Sequence, residues 1–172
     1  MESQPKKDFF ISYNDADKEK AEWIAWVLEK AKYSVMIQAW DFRPGENFVV
    51  GMQKATAECE RTIVVMSQDY LEAGFTQPEW TAAFGKDPTG EKGALLPVRV
   101  GACDLKGLWP QIIYIDLVDL DEEGAREALV KGVEPGRAKP KAKPSFPTSK
   151  TPIEPATPAP LFSYSKTLQY IR

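Results

Sequence analysis

The chain of 172 residues contains no histidine. That absence removes Ser-His-Asp and Cys-His nucleophile activation, and with them histidine-ligated zinc. An enzyme built from this sequence works with carboxylates first, and with lysine or tyrosine second. Cysteine is scarce as well: Cys59 and Cys103 are the two present. A disulfide scaffold is excluded, and a reducing compartment, the cytoplasm, fits best. No apolar run approaches the ~20 residues that span a bilayer. The opening MESQPKKDFF has no apolar stretch of the signal-peptide kind. No membrane partner is expected.

The formal charge of −3 hides a split. Up to Val133 there are 15 Lys/Arg against 23 Asp/Glu, a balance of −8. From Glu134 onward the count is 7 against 2, a balance of +5. An acidic globular part precedes a basic tail, and nothing in the acidic part suggests a nucleic-acid surface. Eight of the fourteen prolines lie between Pro135 and Pro160. Stretches such as GRAKPKAKP and TPIEPATPAP cannot build a core. Three regions are expected: a folded domain over 7–133, a Pro/Lys-rich disordered linker over 134–160, and the start of a further segment or docking peptide over 161–172. A C-terminal effector or sensor domain is the expected continuation.

Within the folded part, short β-prone runs alternate with helical periodicity. The strands are expected at Asp8–Tyr13, Ser34–Gln38, Arg61–Ser67, Ala94–Val100 and Gln111–Leu117. Pro97 suggests an edge or strand-end position for the fourth. Asp17 is a plausible cap for a first helix that carries Trp23 and Trp26 as core residues. Phe48, Met52, Ala55 and Cys59 share one face of a second helix. Ala39–Asn47 holds Pro-Gly and reads as a loop. DEEGAREALVKG reads as a last helix. The pattern is that of an α/β fold, a flavodoxin-like, five-stranded, mostly parallel sheet with helices on both faces. Ligands of such sheets sit outside the carboxyl ends of the strands. That rule selects Ser12–Tyr13, the Ala39–Asn47 loop and the segment after Ser67.

Two motifs fail on inspection. GKDPTGEK lacks the lysine directly after its second glycine that a phosphate-cradling loop needs, and reads as a surface turn. A phosphoacceptor receiver domain requires a lysine ending the fifth strand, where this chain has YIDL. FTQPEW, residues 75–80, raises a harder question. Thr76 and Glu79 have the spacing of a capping box. Glu79 also stands at the sheet's ligand edge, where a carboxylate can do chemistry.

Three stretches, FFISY, AWDFRPGENFV and VVMSQDYLEAGFTQPEW, occur in an order that resembles a Toll/interleukin-1 receptor (TIR) domain of the soluble bacterial type. The resemblance covers about Lys7 to Val133. It implies cleavage of NAD+ at the nicotinamide–ribose bond, with NAD+ as substrate and no separate cofactor or metal. The family's catalytic glutamate falls on Glu79, with Phe75 where a tryptophan is usual. Ser12, Tyr13, Trp40, Asp41 and Arg43 are then the expected substrate-binding residues. The resemblance also implies self-association with other TIR domains as the activating step. The alternative it leaves is a non-enzymatic TIR–TIR adaptor.

Overall fold

The computed structural model describes residues 5–73, 85, 87, 90, 93–107, 109–137, 139–140 and 142–146. Five strands form one sheet in the order β2-β1-β3-β4-β5. They are β1 (Lys7–Ser12), β2 (Val35–Ile37), β3 (Cys59–Met66), β4 (Leu95–Arg99) and β5 (Ile115–Asp116). Every pairing is parallel. The central strands read as unbroken apolar runs because helices cover both faces. Alternation along each strand divides its residues between the two faces. Phe9, Ile11, Ile63 and Val65 join one cluster with Ala21, Ile24 and Leu28 of α1 (Lys18–Lys30) and Leu129 and Val133 of α5 (Glu122–Val133). Phe10 faces the other way, onto Met52 and Ala55 of α3 (Phe48–Glu58). Val64 and Met66 pack on that side against Tyr70 of α4 (Gln68–Glu72) and against Trp109.

Short polar side chains start the helices. Asn47 accepts from Val50 N–H at 3.3 Å, Ser67 from Tyr70 N–H at 3.1 Å, and Asp121 from Gly124 N–H at 2.8 Å. Arg61 ties the amino-terminal side of β3 to two distant segments. Its guanidinium donates to the carbonyls of Gly93 and Val133, both at 2.9 Å, and lies 5.5 Å from the Phe9 ring centre. Burial lowers its pKa, the expected direction for a cation withdrawn from water.

Several expectations need correction. The stretch expected to be loop from Ala39 onward begins instead inside a helical turn, α2 (Gln38–Asp41). The fifth strand shrinks to Ile115–Asp116, because Trp109–Gln111 forms a 3-10 turn. Trp23 is half-buried against the core, but Trp26 is 54% exposed, with the Lys30 ammonium 5.2 Å from its ring centre. β4 is an interior strand, not an edge. The bonds Thr62 N–H to Ala94 O and Leu117 N–H to Arg99 O fix which way each β4 residue points. By alternation the Pro97 nitrogen faces the β5 side, one step before that ladder begins at Val98–Ile115. The missing N–H therefore forfeits no ladder bond. In the GKDPTGEK stretch Asp87 is buried, and its carboxylate accepts from Ala94 N–H at 3.1 Å.

The chain divides into two compact units, Met1–Ala138 and Lys139–Arg172. The described residues of the second, 139–140 and 142–146, are exposed and form neither helix nor strand.

Candidate functional site

The strand ends gather a set of polar groups at the carboxyl edge of the sheet. Ser12 ends β1 and Ser67 follows β3, and both are buried. The Ser12 hydroxyl lies 3.3 Å from the Tyr70 hydroxyl. The Ser67 hydroxyl donates to Asp17 Oδ2, while Lys20 Nζ donates to Asp17 Oδ1 at 3.2 Å. Asp17 sits at the start of α1 but makes no capping bond with its side chain. It is 3% exposed and turned inward. The expected cap is instead a buried link between the β1–α1 and β3–α4 connections. A buried carboxylate is tolerated because charged and hydroxyl donors replace its water.

An open cleft of about 390 Å3 lies at the connections that follow β1 and β2. The β1–α1 connection contributes Tyr13, Asp15 and Lys18. The segment between β2 and α3 contributes the rest, chiefly Gln38, Phe42, Arg43 and Glu46. Its tip is a turn in which Glu46 N–H donates to Arg43 O at 3.1 Å, with Pro44 and Gly45 between. Gly45 has φ +94°, so this position favours glycine. Arg43 N–H also donates to Glu46 Oε2 at 3.3 Å. Phe42 roots the segment, packing against the cluster of Phe10, Met52, Ala55 and Cys59. The same segment thus half-buries one aromatic and holds a cation at the cleft. The Tyr13 phenol is pushed up from its ordinary pKa, first by burial and then by the charges of Asp15 and Glu22. It stays protonated and neutral at physiological pH, available as a ring wall and a hydrogen-bonding hydroxyl.

Tyr13 and Arg43 line this cleft together. Three other expected site residues are engaged elsewhere. Ser12 is buried against Tyr70. Trp40 donates from its indole to Glu22 Oε1 at 3.0 Å, reaching across to α1. Asp41 accepts from Ile37 N–H at 2.8 Å and lies 3.6 Å from Lys7 Nζ, holding its own turn in place. Phe75 and Glu79 lie outside the described residues. Asp15, Lys18 and Gln38 were not anticipated from sequence, and Glu46 falls in the selected Ala39–Asn47 loop without having been named as a site residue. Lys18 sits among charges at a helix start and reads there as an ordinary solvated residue.

A second cavity, about 450 Å3, lies between α1 and α5. Its floor is apolar, with Trp23, Ile24, Val100, Leu117 and Ala125, and its rim carries Glu19, Asp121 and Glu122. Among the described residues the one cation there, Lys20, is already bound to Asp17. None of the expected site residues that are described lines it.

A sequence profile described as "TIR domain" matches residues 9–130. The TIR domain of the Toll-related receptor TRR-2 from Hydra magnipapillata superposes with a TM-score of 0.54 at 23% identity, covering 66% of this chain and 86% of that one. A metazoan TIR-STING receptor from C. gigas, solved in complex with 2',3'-cGAMP, gives 0.63 at 23% identity over 77% of this chain and 41% of its own. A prokaryotic SEFIR domain gives 0.53 at 14% identity, covering 83% of this chain and all of the other. At these identities the shared property is the fold. No curated protein sequence matches the chain.

Proposed function

This chain belongs to the TIR domain family, and from that premise we propose that it cleaves NAD+ at the nicotinamide–ribose bond. The observation that carries the reading is the cleft at the sheet's carboxyl edge, lined by an aromatic phenol, Tyr13, and a guanidinium, Arg43. A dinucleotide offers matching chemistry: a flat cationic ring, ribose hydroxyls and a diphosphate. Nicotinamide in NAD+ is already a cationic leaving group and needs no general acid, so the lack of histidine is no obstacle. As the C–N bond breaks, its electron pair leaves with nicotinamide and positive charge develops on the ribose. The carboxylate of Glu79, the residue matching the family's catalytic position, holds the ribose hydroxyls and stabilises that charge. Water then attacks C1' and loses its proton, giving ADP-ribose. Attack by the adenine base instead gives a cyclic isomer.

TIR domains commonly self-associate, and we take self-association as the activating step in a bacterial defence or signalling protein of the cytoplasm. The rival reading, an adaptor that only binds other TIR domains, draws on Ile113, which is 92% exposed beside the edge strand β5. Incubating concentrated protein with NAD+ and following nicotinamide release separates the two. Release that depends on Glu79 supports the enzyme. No release at any protein concentration leaves the adaptor.

A further inference from the structure

Six ion pairs among the described residues occupy Lys7, Lys20, Lys54, Arg99, Lys106 and Arg126. The Arg61 guanidinium is held by two carbonyls and Lys30 by the Trp26 ring. Two cations line the candidate cleft, Lys18 from the first turn of α1 and Arg43 from the β2–α3 segment. Among the described residues neither side chain has an ion pair or a hydrogen-bond partner, although Asp15 and Glu46 line the same cleft. Glu46 is engaged with the backbone N–H of Arg43. Asp15 acts on the Tyr13 phenol.

We propose that Lys18 and Arg43 form a two-cation grip for the diphosphate of a ribonucleotide, with Lys18 a binding residue of the cleft in its own right. The proposal rests on the same cleft as the NAD+ reading and names the group that anchors the ligand there. A diphosphate carries charge on two adjacent phosphorus centres. A guanidinium meets one through paired N–H donors, and an ammonium meets the other as a point charge. The two cations come from different chain segments, so a ligand bound to both ties the β2–α3 segment to the start of α1. The carboxylates of the cleft disfavour a bare anion but accept from ribose hydroxyls. The arrangement therefore selects a diphosphate joined to a sugar over inorganic phosphate. The diphosphate joins the ribose at C5', away from the scissile bond at C1', so loss of Lys18 should raise KM and leave kcat unchanged.

ADP is the probe, titrated into the full chain by calorimetry at low salt, with adenosine as the phosphate-free control. Lys18→Met should weaken ADP about tenfold, the scale of one charge-assisted contact. Lys18→Arg should restore binding, and raised salt should weaken ADP on the parent more than on Lys18→Met. Adenosine should bind both alike. Lys54→Met, which removes the same charge from the outer side of α3, should leave ADP affinity unchanged. Thermal melts check that each variant is folded, and Lys18→Gln replaces Lys18→Met if the latter melts early. ADP binding that is equal in the parent and in Lys18→Met overturns the proposal, as does no ADP binding at millimolar concentration. The two readings fail separately. ADP held through Lys18 without nicotinamide release from NAD+ sinks the cleavage reaction alone. Nicotinamide release with an unchanged KM in Lys18→Met sinks the grip alone.

Discussion

Asp17 and Ser67 share a buried hydrogen bond, the Ser67 hydroxyl donating to the Asp17 carboxylate. One residue follows the first strand and the other follows the third, so this bond joins the β1–α1 connection, which lines the cleft, to the β3–α4 connection. Ser67 also starts α4, the helix after which the segment bearing Glu79 begins. Ser67→Ala removes the cap and strips a donor from a buried carboxylate. It should destabilise the domain by about 2 kcal/mol, read by urea denaturation. Asp17→Ala should cost a similar amount, and the double variant should cost clearly less than the sum. Additive losses would show that the two side chains do not act on each other.

Glu79→Ala should abolish nicotinamide release while the protein stays folded. A capping role alone predicts a stability loss of about 1 kcal/mol and intact chemistry. Thr76→Ala distinguishes them, because it harms a cap and spares a catalyst. Turnover by Glu79→Ala at the parent's rate would end the enzyme reading.

Arg61→Leu keeps an apolar stem but withdraws two donors, from the carbonyls of Gly93 and Val133. The expected cost is about 2 kcal/mol, within the range for hydrogen bonds to a charged group. Amide exchange should quicken first at the end of α5, near Val133. A uniform loss of protection over the whole sheet would contradict so local a role.

Asp116 supplies the pH dependence. Its carboxyl is held below the usual carboxylate range, first by the hydrogen bond from Arg99, whose Nε lies 3.0 Å from Oδ1. A depressed folded-state value stabilises the fold above the unfolded pKa of about 3.9, and that stabilisation is lost as pH falls through the folded value. The Tm difference between the parent and Asp116→Asn should be steady near neutrality and shrink in acid. It should also shrink with salt, since the pair is exposed. A gap that widens in acid would reverse the sign.

Activity per molecule should rise with protein concentration if a neighbouring domain completes the site. Gly45→Pro should flatten that rise, because Gly45 has φ +94° and proline is fixed near −65°. Total activity strictly proportional to protein from dilute to crowded solution would show a self-sufficient monomer.

The sheet was legible because its core strands carry unambiguous signals. FFIS and TIVVM are continuous apolar runs, and both occupy the centre. The edge was less legible. QIIYIDL has the composition of a long strand, yet the 3-10 turn at Trp109–Gln111 leaves two residues in the ladder. Trp26 followed its helical spacing onto a face that the core does not reach. At the site, proximity to strand ends selects the segments that hold Tyr13 and Arg43, and the family resemblance names the two residues. Trp40 and Asp41 have the same proximity, but α2 turns one toward Glu22 and the other toward its own backbone. That helical turn follows Ile37 directly, where Pro-Gly further on had suggested loop throughout. Lys18 gave no signal, because what marks it is that it has no partner among the described residues, and sequence does not show partners.

The strand order has a consequence for how the protein is made. β1 leaves the ribosome before the other strands of the sheet, carrying Phe9, Phe10 and Ile11, yet it belongs between β2 and β3. Phe9 pairs with Val35 on one side and with Arg61 on the other. At roughly 5–20 residues per second of synthesis, the stickiest strand waits several seconds with at least one edge open. Slower translation across α3 would lengthen that exposure, and the nascent chain is then a client for whatever holds unfinished strands apart.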